Sequence, residues 1–363
     1  MEEDPRYLTE QLITYIGNKR TLLPMIGNGV KEVCKRTGKS SLSIFDAFAG
    51  SGVVSRYFKQ YSHTLYSNDL EDYCRILNTC YLTNHSEGVL KDLPQLHHEL
   101  QAQVEQHPTP GLIAELYAPQ DDEHISPGER VFYTRRNAVY LDTARQCIAQ
   151  MPHELQVYFL APLLTQASVH TNTSGVFKGF HKNEKGIGQF GGRGKNALQR
   201  ILAPINLPLP IFSRFECVCH ILQQDATEAA RHLSSIDLAY LDPPYNQHPY
   251  GSNYFMLNFL TNYKRPDKMS KISGIPTDWH RSAYNTRAKA ASELEQLIAA
   301  IPASHLLISY NSEGFISQEQ MTDILHKQGK VSLMQQEYAT FKGCRNLRNR
   351  ATHVREFLYL VER

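Results

Sequence analysis

The chain has 363 residues, 41% of them apolar and 20% charged, with a formal net charge of +2. This is the make-up of a globular protein with a sizeable core, enough for one large domain or two ordinary ones. No run approaches the roughly 20 apolar residues that cross a bilayer. The opening Met1-Glu2-Glu3-Asp4 is too acidic for a secretory leader, and the seven scattered cysteines match no usual zinc spacing. Free thiols, a cytoplasmic location, no membrane and no metal are therefore expected.

In chain order, Leu22, Leu23, Ile26, Val30 and Val33 recur at helical spacing and predict an amphipathic helix over 21–34. Leu42-Ser43-Ile44-Phe45 is a short apolar run that ends at Asp46. A turn with Ala49-Gly50-Ser51-Gly52 and a helical stretch to Lys59 follow it. Thr64–Ser67 reads as a second strand and Glu71–Leu82 as a second helix, the opening of a parallel sheet with crossovers.

From Ser86 to Ser213 the rhythm changes. Helices are predicted over 90–104, 136–151 and 153–168, with no strand alternation. Prolines 108, 110, 208 and 210 mark connectors. Seven glycines between Gly175 and Gly194 predict a loop that a core would not hold rigid on its own. Val218–Leu222 and Ile236–Leu241 are then apolar runs of buried-strand length. Further on, 292–301 and 317–328 read as helices, and 306–309, 331–336 and 354–361 as strands. One sheet domain interrupted by a mostly helical insertion accounts for this pattern.

Charge is unevenly spread. Lys178, Lys182, Lys185, Arg193, Lys195 and Arg200 share one Gly-rich stretch with a single acid, Glu184. Lys342, Arg345, Arg348, Arg350 and Arg355 follow one another without a carboxylate. Both clusters suit phosphate contact, and either could equally be a solvated loop.

Two features carry chemistry. The turn Phe45-Asp46-Ala47-Phe48-Ala49-Gly50-Ser51-Gly52 lets backbone approach a ligand at the carboxyl edge of a sheet. Ser55 stands where a dinucleotide fingerprint needs a third glycine. Asp69, ending the second strand, can accept both hydroxyls of a ribose or simply cap the following helix. More specific is Asp242-Pro243-Pro244-Tyr245. Two prolines stop the strand before it and force a turn. Asp242 and the Pro243 carbonyl then stand as two acceptors beside an aromatic ring, the parts needed to hold a planar amine.

These residues carry a resemblance. Tyr15-Ile16-Gly17-Asn18-Lys19-Arg20, the Phe45–Gly52 turn, Asn68-Asp69, Asp225 and Asp242–Tyr245 follow the order seen in alpha-group DNA adenine methyltransferases. Dam and the FokI-type methylases belong to that group, and the likeness covers nearly the whole chain. It is looser from Ser86 to His170. Thr171–Val176 and Asn246–Tyr250 resemble the FokI-type branch more closely than Dam, and one catalytic copy is present.

The resemblance implies a Rossmann-like α/β methyltransferase sheet formed by 1–85 and 214–363. The helical insertion 86–213 becomes the target-recognition region. S-adenosylmethionine is the implied cofactor. Phe45, Ala49, Gly50 and Gly52 would cradle it, Asp69 would hold its ribose, and Asp225 would sit by its adenine. Tyr15 and Lys19 would lie against its methionine end, Lys19 meeting the carboxylate. Asp242, Pro243, Pro244 and Tyr245 would hold the amine of an adenine flipped out of double-stranded DNA. Lys178, Lys182, Arg193, Lys195, Arg345 and Arg348 would meet DNA, Arg193 at a phosphate or a guanine edge. A monomer serving DNA marking or restriction-modification, alongside a cognate restriction endonuclease, is the expected setting. Action on cytosine N4, on adenine in RNA, or a dead regulator with this fold remain open alternatives at this point.

Overall fold

The computed structural model describes residues 2–192, 194–195, 197–339 and 353–363. Its strands are β1 (Leu42–Asp46), β2 (Ser62–Asn68), β3 (Val218–Leu222), β4 (Ile236–Leu241), β5 (Ala303–Asn311), β6 (Lys330–Ala339) and β7 (His353–Glu362). They form one sheet in the order β3-β2-β1-β4-β5-β7-β6. The first five run parallel, and β7 lies antiparallel between β5 and β6.

Strand period two explains why the central strands read as continuous apolar runs. In β4, Leu238 and Tyr240 face a core built with Ile26 and Val30 of the helix Leu23–Thr37. Ala239 and Leu241 face the opposite core, with Leu294 of Arg287–Ala300 and Met321 of Gln318–His326. Both faces are covered, so all six β4 residues are buried. The equally apolar Val218–Leu222 is different. It pairs only with β2, at the sheet edge, and Val218 is 57% exposed. The expectation of a buried strand there is corrected, because run length does not distinguish a centre from an edge.

The helices Leu93–Gln106, Arg135–Ala149 and His153–Val169 pack on the remaining flank. Their Leu100, Leu141 and Leu163 share one apolar cluster with Tyr73 and Leu77 of the helix Asp72–Leu82. The same cluster takes in Tyr254, Phe255 and Phe259, around the start of the helix Phe255–Asn262. That helix was not anticipated, and neither were Pro5–Thr9, Leu112–Tyr117 and Ala226–Arg231. The helix expected from Ser292 starts earlier, at Arg287. Its exposed first turn offers no apolar stripe to read.

The glycine-rich stretch is better held than its composition suggests. Asn172, fully buried, donates to the carbonyls of Val131 (2.7 Å) and Gln189 (2.8 Å) and accepts from the Gly191 amide (3.0 Å). Buried Phe177 adds an apolar anchor next to Phe132. Among the described residues no helix is long and apolar enough to cross a membrane.

Strand order reverses between β1 and β4, since β2 lies beyond one and β5 beyond the other. At such a switch point the connections leave on opposite faces and open a crevice past the strands' carboxyl ends. The glycine turn after β1 and the Asp-Pro-Pro-Tyr turn after β4 both begin there.

Candidate active site

The glycine turn follows from three backbone bonds. Ala47 donates to Tyr240 (3.0 Å), Ala49 to Asn68 (2.8 Å) and Gly52 to Ala49 (2.8 Å), which ties the ends of β1, β2 and β4 together. Gly50 and Gly52 take φ of +54° and +79°, conformations that cost an L side chain strain. A Cβ on Gly50 would sit 2.8 Å from the Tyr15 ring, and one on Gly52 would sit 2.3 Å from Asn78. Asn78 in turn donates to the Gly50 carbonyl at 3.2 Å.

A cleft of about 940 Å³, including its open mouth, lies above this turn. Tyr15, Lys19, Ala49, Gly50, Asp69 and Asp225 line it, and so do Asp242 and Pro244. Phe45 does not; it is fully buried in the sheet core beneath. Gly52, Pro243 and Tyr245 also stand outside the lining. Tyr245 packs edge-on to Tyr310 at 6.4 Å.

Asp69 accepts the Gly50 amide at 2.8 Å on one oxygen and the Glu71 amide at 3.0 Å on the other. Burial nevertheless raises its pKa to about 6, against the pull of those amides. Asp225 caps the helix Ala226–Arg231 by accepting from the Thr227 amide at 2.9 Å. Each carboxylate oxygen has a second lone pair, so both acids keep acceptor capacity towards the cleft.

Tyr15 belongs to an aromatic stack. Its ring centroid lies 5.0 Å from that of Tyr250 and 4.9 Å from that of Tyr254. The Tyr250 hydroxyl donates to the Ile16 carbonyl (3.0 Å), and the Ile16 amide donates to the Tyr254 hydroxyl (2.8 Å). The N-terminal motif is thereby fastened to the segment that follows Asp242–Tyr245.

Lys19 is 3% exposed. Its ammonium lies 3.0 Å from Asp242 Oδ1 and 3.0 Å from Glu356 Oε1. It also donates to the Gly17 carbonyl at 3.3 Å. Burial raises the Asp242 pKa to about 6; the Lys19 charge opposes that rise and the Glu356 charge adds to it. Sequence reasoning placed Lys19 towards a ligand carboxylate and missed Glu356. Glu356 directly follows Arg355 and precedes the apolar run Phe357–Val361, so its sequence context gave no signal of burial. His280, Ser282, Tyr284 and Asn285 also line the cleft, from a segment in which no element was predicted. Asn285 donates to the Asn246 carbonyl at 2.7 Å, which holds this wall against the turn after β4.

Among the basic residues, Lys178 and Lys195 are exposed, and Lys182 lies 5.0 Å over the Phe180 ring. Arg193, Arg345 and Arg348 lie outside the described residues.

The cradle fits a nucleoside-bearing cofactor. Gly50 brings bare backbone where a Cβ would collide, and the half-buried Asp69 stands beside it, its pKa raised by desolvation.

Comparisons with known proteins identify the family. Residues 15–324 match the family model of D12 class N6 adenine-specific DNA methyltransferases. The chain is 30% identical over 360 residues to the Type II methyltransferase M.NlaIII of Neisseria lactamica, covering 97% of this chain and 99% of that protein. It is 28% identical to the Type II methyltransferase M.CviAII of Paramecium bursaria Chlorella virus 1, covering 96% and 98%. Against the Type II methyltransferase M.FokI of Planomicrobium okeanokoites it is 23% identical, covering 96% of this chain and 52% of that protein.

Proposed function

The chain belongs to the D12 class of N6 adenine-specific DNA methyltransferases, and from that premise we propose how it works. The cleft between the glycine turn and Asp242–Tyr245 would hold S-adenosylmethionine, which would supply an electrophilic methyl group. Gly50 and Ala49 offer it backbone, Asp69 its ribose acceptor and Asp225 an acceptor near its base. Phe45 and Gly52 act from beneath, one as core and one as turn. The observation that supports this most is the meeting of the two turns at one crevice, with Asp242 and Gly50 lining the same cleft.

The target adenine leaves the duplex, because its amine is inaccessible within the stack. Asp242 Oδ2 and the Pro243 carbonyl accept the two amine hydrogens, while Pro244 fixes the turn. Tyr245 stacks on the base, worth about 1–3 kcal/mol against a flipping cost of similar size. With its hydrogens held, the amine directs its lone pair at the methyl group. A nitrogen–carbon bond would form as the methyl's bond to the sulfonium breaks, sulfur keeping the electron pair as a neutral thioether, and the nitrogen would shed one proton to solvent, leaving N6-methyladenine. Rate enhancement comes mainly from proximity and orientation.

Residues 86–213 recognise the target, with Lys178, Lys182 and Lys195 on phosphates, joined by Arg193, Arg345 and Arg348. The enzyme works as a cytoplasmic monomer. Likeness over full length to two Type II methyltransferases supports a role in restriction-modification beside a cognate endonuclease.

The test is transfer of labelled methyl from S-adenosylmethionine to duplex DNA and to RNA, followed by nucleoside identification. N6-methyladenine from duplex DNA is expected. Label in N4-methylcytosine, label in RNA alone, or no transfer would defeat the reading.

A further inference from the structure

Glu356 has no role in holding the adenine, yet it is fully buried. A buried carboxylate is costly unless it is paired and hydrogen-bonded. Ser309, Asn311 and Lys19 are among the groups that meet it. Ser309 Oγ donates to Oε1 at 2.7 Å, Asn311 Nδ2 donates to Oε2 at 3.3 Å, and Lys19 Nζ lies 3.0 Å from Oε1. Ser309 and Asn311 are on β5, and Asn311 is the register partner of Glu356 on β7. The carboxylate is therefore fixed by two paired strands, whereas Lys19 reaches it from the N-terminal loop on a flexible stem.

The same ammonium lies 3.0 Å from Asp242 Oδ1. With Asp242 as its single partner, a lysine would both neutralise that acid and be free to follow it. A second carboxylate at the same distance divides the cation's attraction and fixes its position.

We propose that Glu356 is a positioning residue for methyl transfer: through Lys19 it holds Asp242 in its acceptor orientation, and by its own charge it keeps Asp242 a strong acceptor. The role rests on the reading of Asp242 as acceptor for the adenine amine. The charges acting on Asp242 have opposite effects, since Lys19 depresses its proton affinity and Glu356 raises it. Asp46 at the end of β1, Tyr240 on β4, Tyr245 and Tyr250 are titratable groups that sense this cluster, and the charge of Glu313 after β5 acts on Tyr245. The three tyrosines are pushed up by burial and stay neutral over the working range.

Glu356→Gln keeps the shape and removes the charge. Expected are an S-adenosylmethionine Kd within about twofold of wild type and a kcat lower by about tenfold. The acid limb of the kcat–pH profile should move down by about one unit, as for loss of one nearby like charge. Glu356→Asp restores the charge and should return the limb towards its original pH. An unchanged kcat and limb in Glu356→Gln overturns the proposal. Equal losses in both variants with an unmoved limb also overturn it, since that is the signature of a purely structural group. If Glu356→Gln does not fold, Ser309→Ala and Asn311→Ala loosen the carboxylate without removing it. A lowered kcat at unchanged cofactor affinity then supports the role, and wild-type kcat in both overturns it. Asp242→Asn is assayed alongside. Turnover in that variant defeats the reading of the site itself, whereas an inactive Asp242→Asn with an unaffected Glu356→Gln defeats only the role of Glu356.

Discussion

The Asp69 carboxylate accepts the backbone N–H of Gly50 at 2.8 Å, locking the end of β2 to the glycine turn that leaves β1. One acid thus shapes the cradle and also faces the cleft. The turn depends equally on having no side chain at Gly50.

Gly50→Ala should therefore damage cofactor binding with little loss of fold. An alanine at φ +54° costs about 1–2 kcal/mol, and its Cβ would press on the Tyr15 ring at 2.8 Å. Calorimetric Kd for S-adenosylmethionine should rise by about tenfold or more. A Kd within twofold of wild type would show that the cradle lies elsewhere.

Asn172→Ala should affect DNA and leave the cofactor alone. It strands the Val131 and Gln189 carbonyls and the Gly191 amide, at about 1–3 kcal/mol for each buried group that water cannot reach. The glycine-rich loop then loses its anchor. Duplex affinity by fluorescence anisotropy should fall while S-adenosylmethionine affinity holds. Unchanged duplex affinity would remove this loop from the DNA surface.

Asp46 ties stability to pH. Burial raises its pKa to about 7, and the Ser55 hydroxyl that it accepts only partly opposes the rise. The fold thus favours the protonated acid. Its stabilising contribution is complete below the unfolded carboxylate value of 3.8 and is lost as pH rises through about 7. Asp69 and Asp242 shift in the same direction, so the useful quantity is the difference between variant and wild type. Asp46→Asn should gain Tm relative to wild type between pH 5 and pH 8, on the order of 2–4 °C. A difference constant with pH would mean that Asp46 is not the titrating group.

Much of this architecture was legible in the residues. Ile236–Leu241 matches β4 end to end, because an apolar run stopped by Pro243-Pro244 has little choice. The turn after Asp46 was equally clear, since its glycines take the positive φ that only glycine adopts cheaply. Less visible was everything decided by tertiary neighbours. Val218–Leu222 is mainly apolar like β4 but lies at the sheet edge, a position that composition does not record. Tyr250 and Tyr254 became part of the site by stacking on Tyr15, a contact across more than 230 residues. Glu356 looks like any surface acid until Lys19 arrives from the other end of the chain.

The central claim is that Asp242 holds the adenine amine for transfer. Single-turnover methylation of duplex DNA by Asp242→Asn, with Kd for S-adenosylmethionine and for duplex measured on the same preparation, tests it most directly. An asparagine keeps the size but loses the charge, so N6-methyladenine formation should fall by at least about a hundredfold while both affinities stay near wild type. In the wild-type enzyme the same rate should decline as pH falls through about 6, where Asp242 takes up its proton. Methylation by Asp242→Asn at a rate close to wild type would contradict the account.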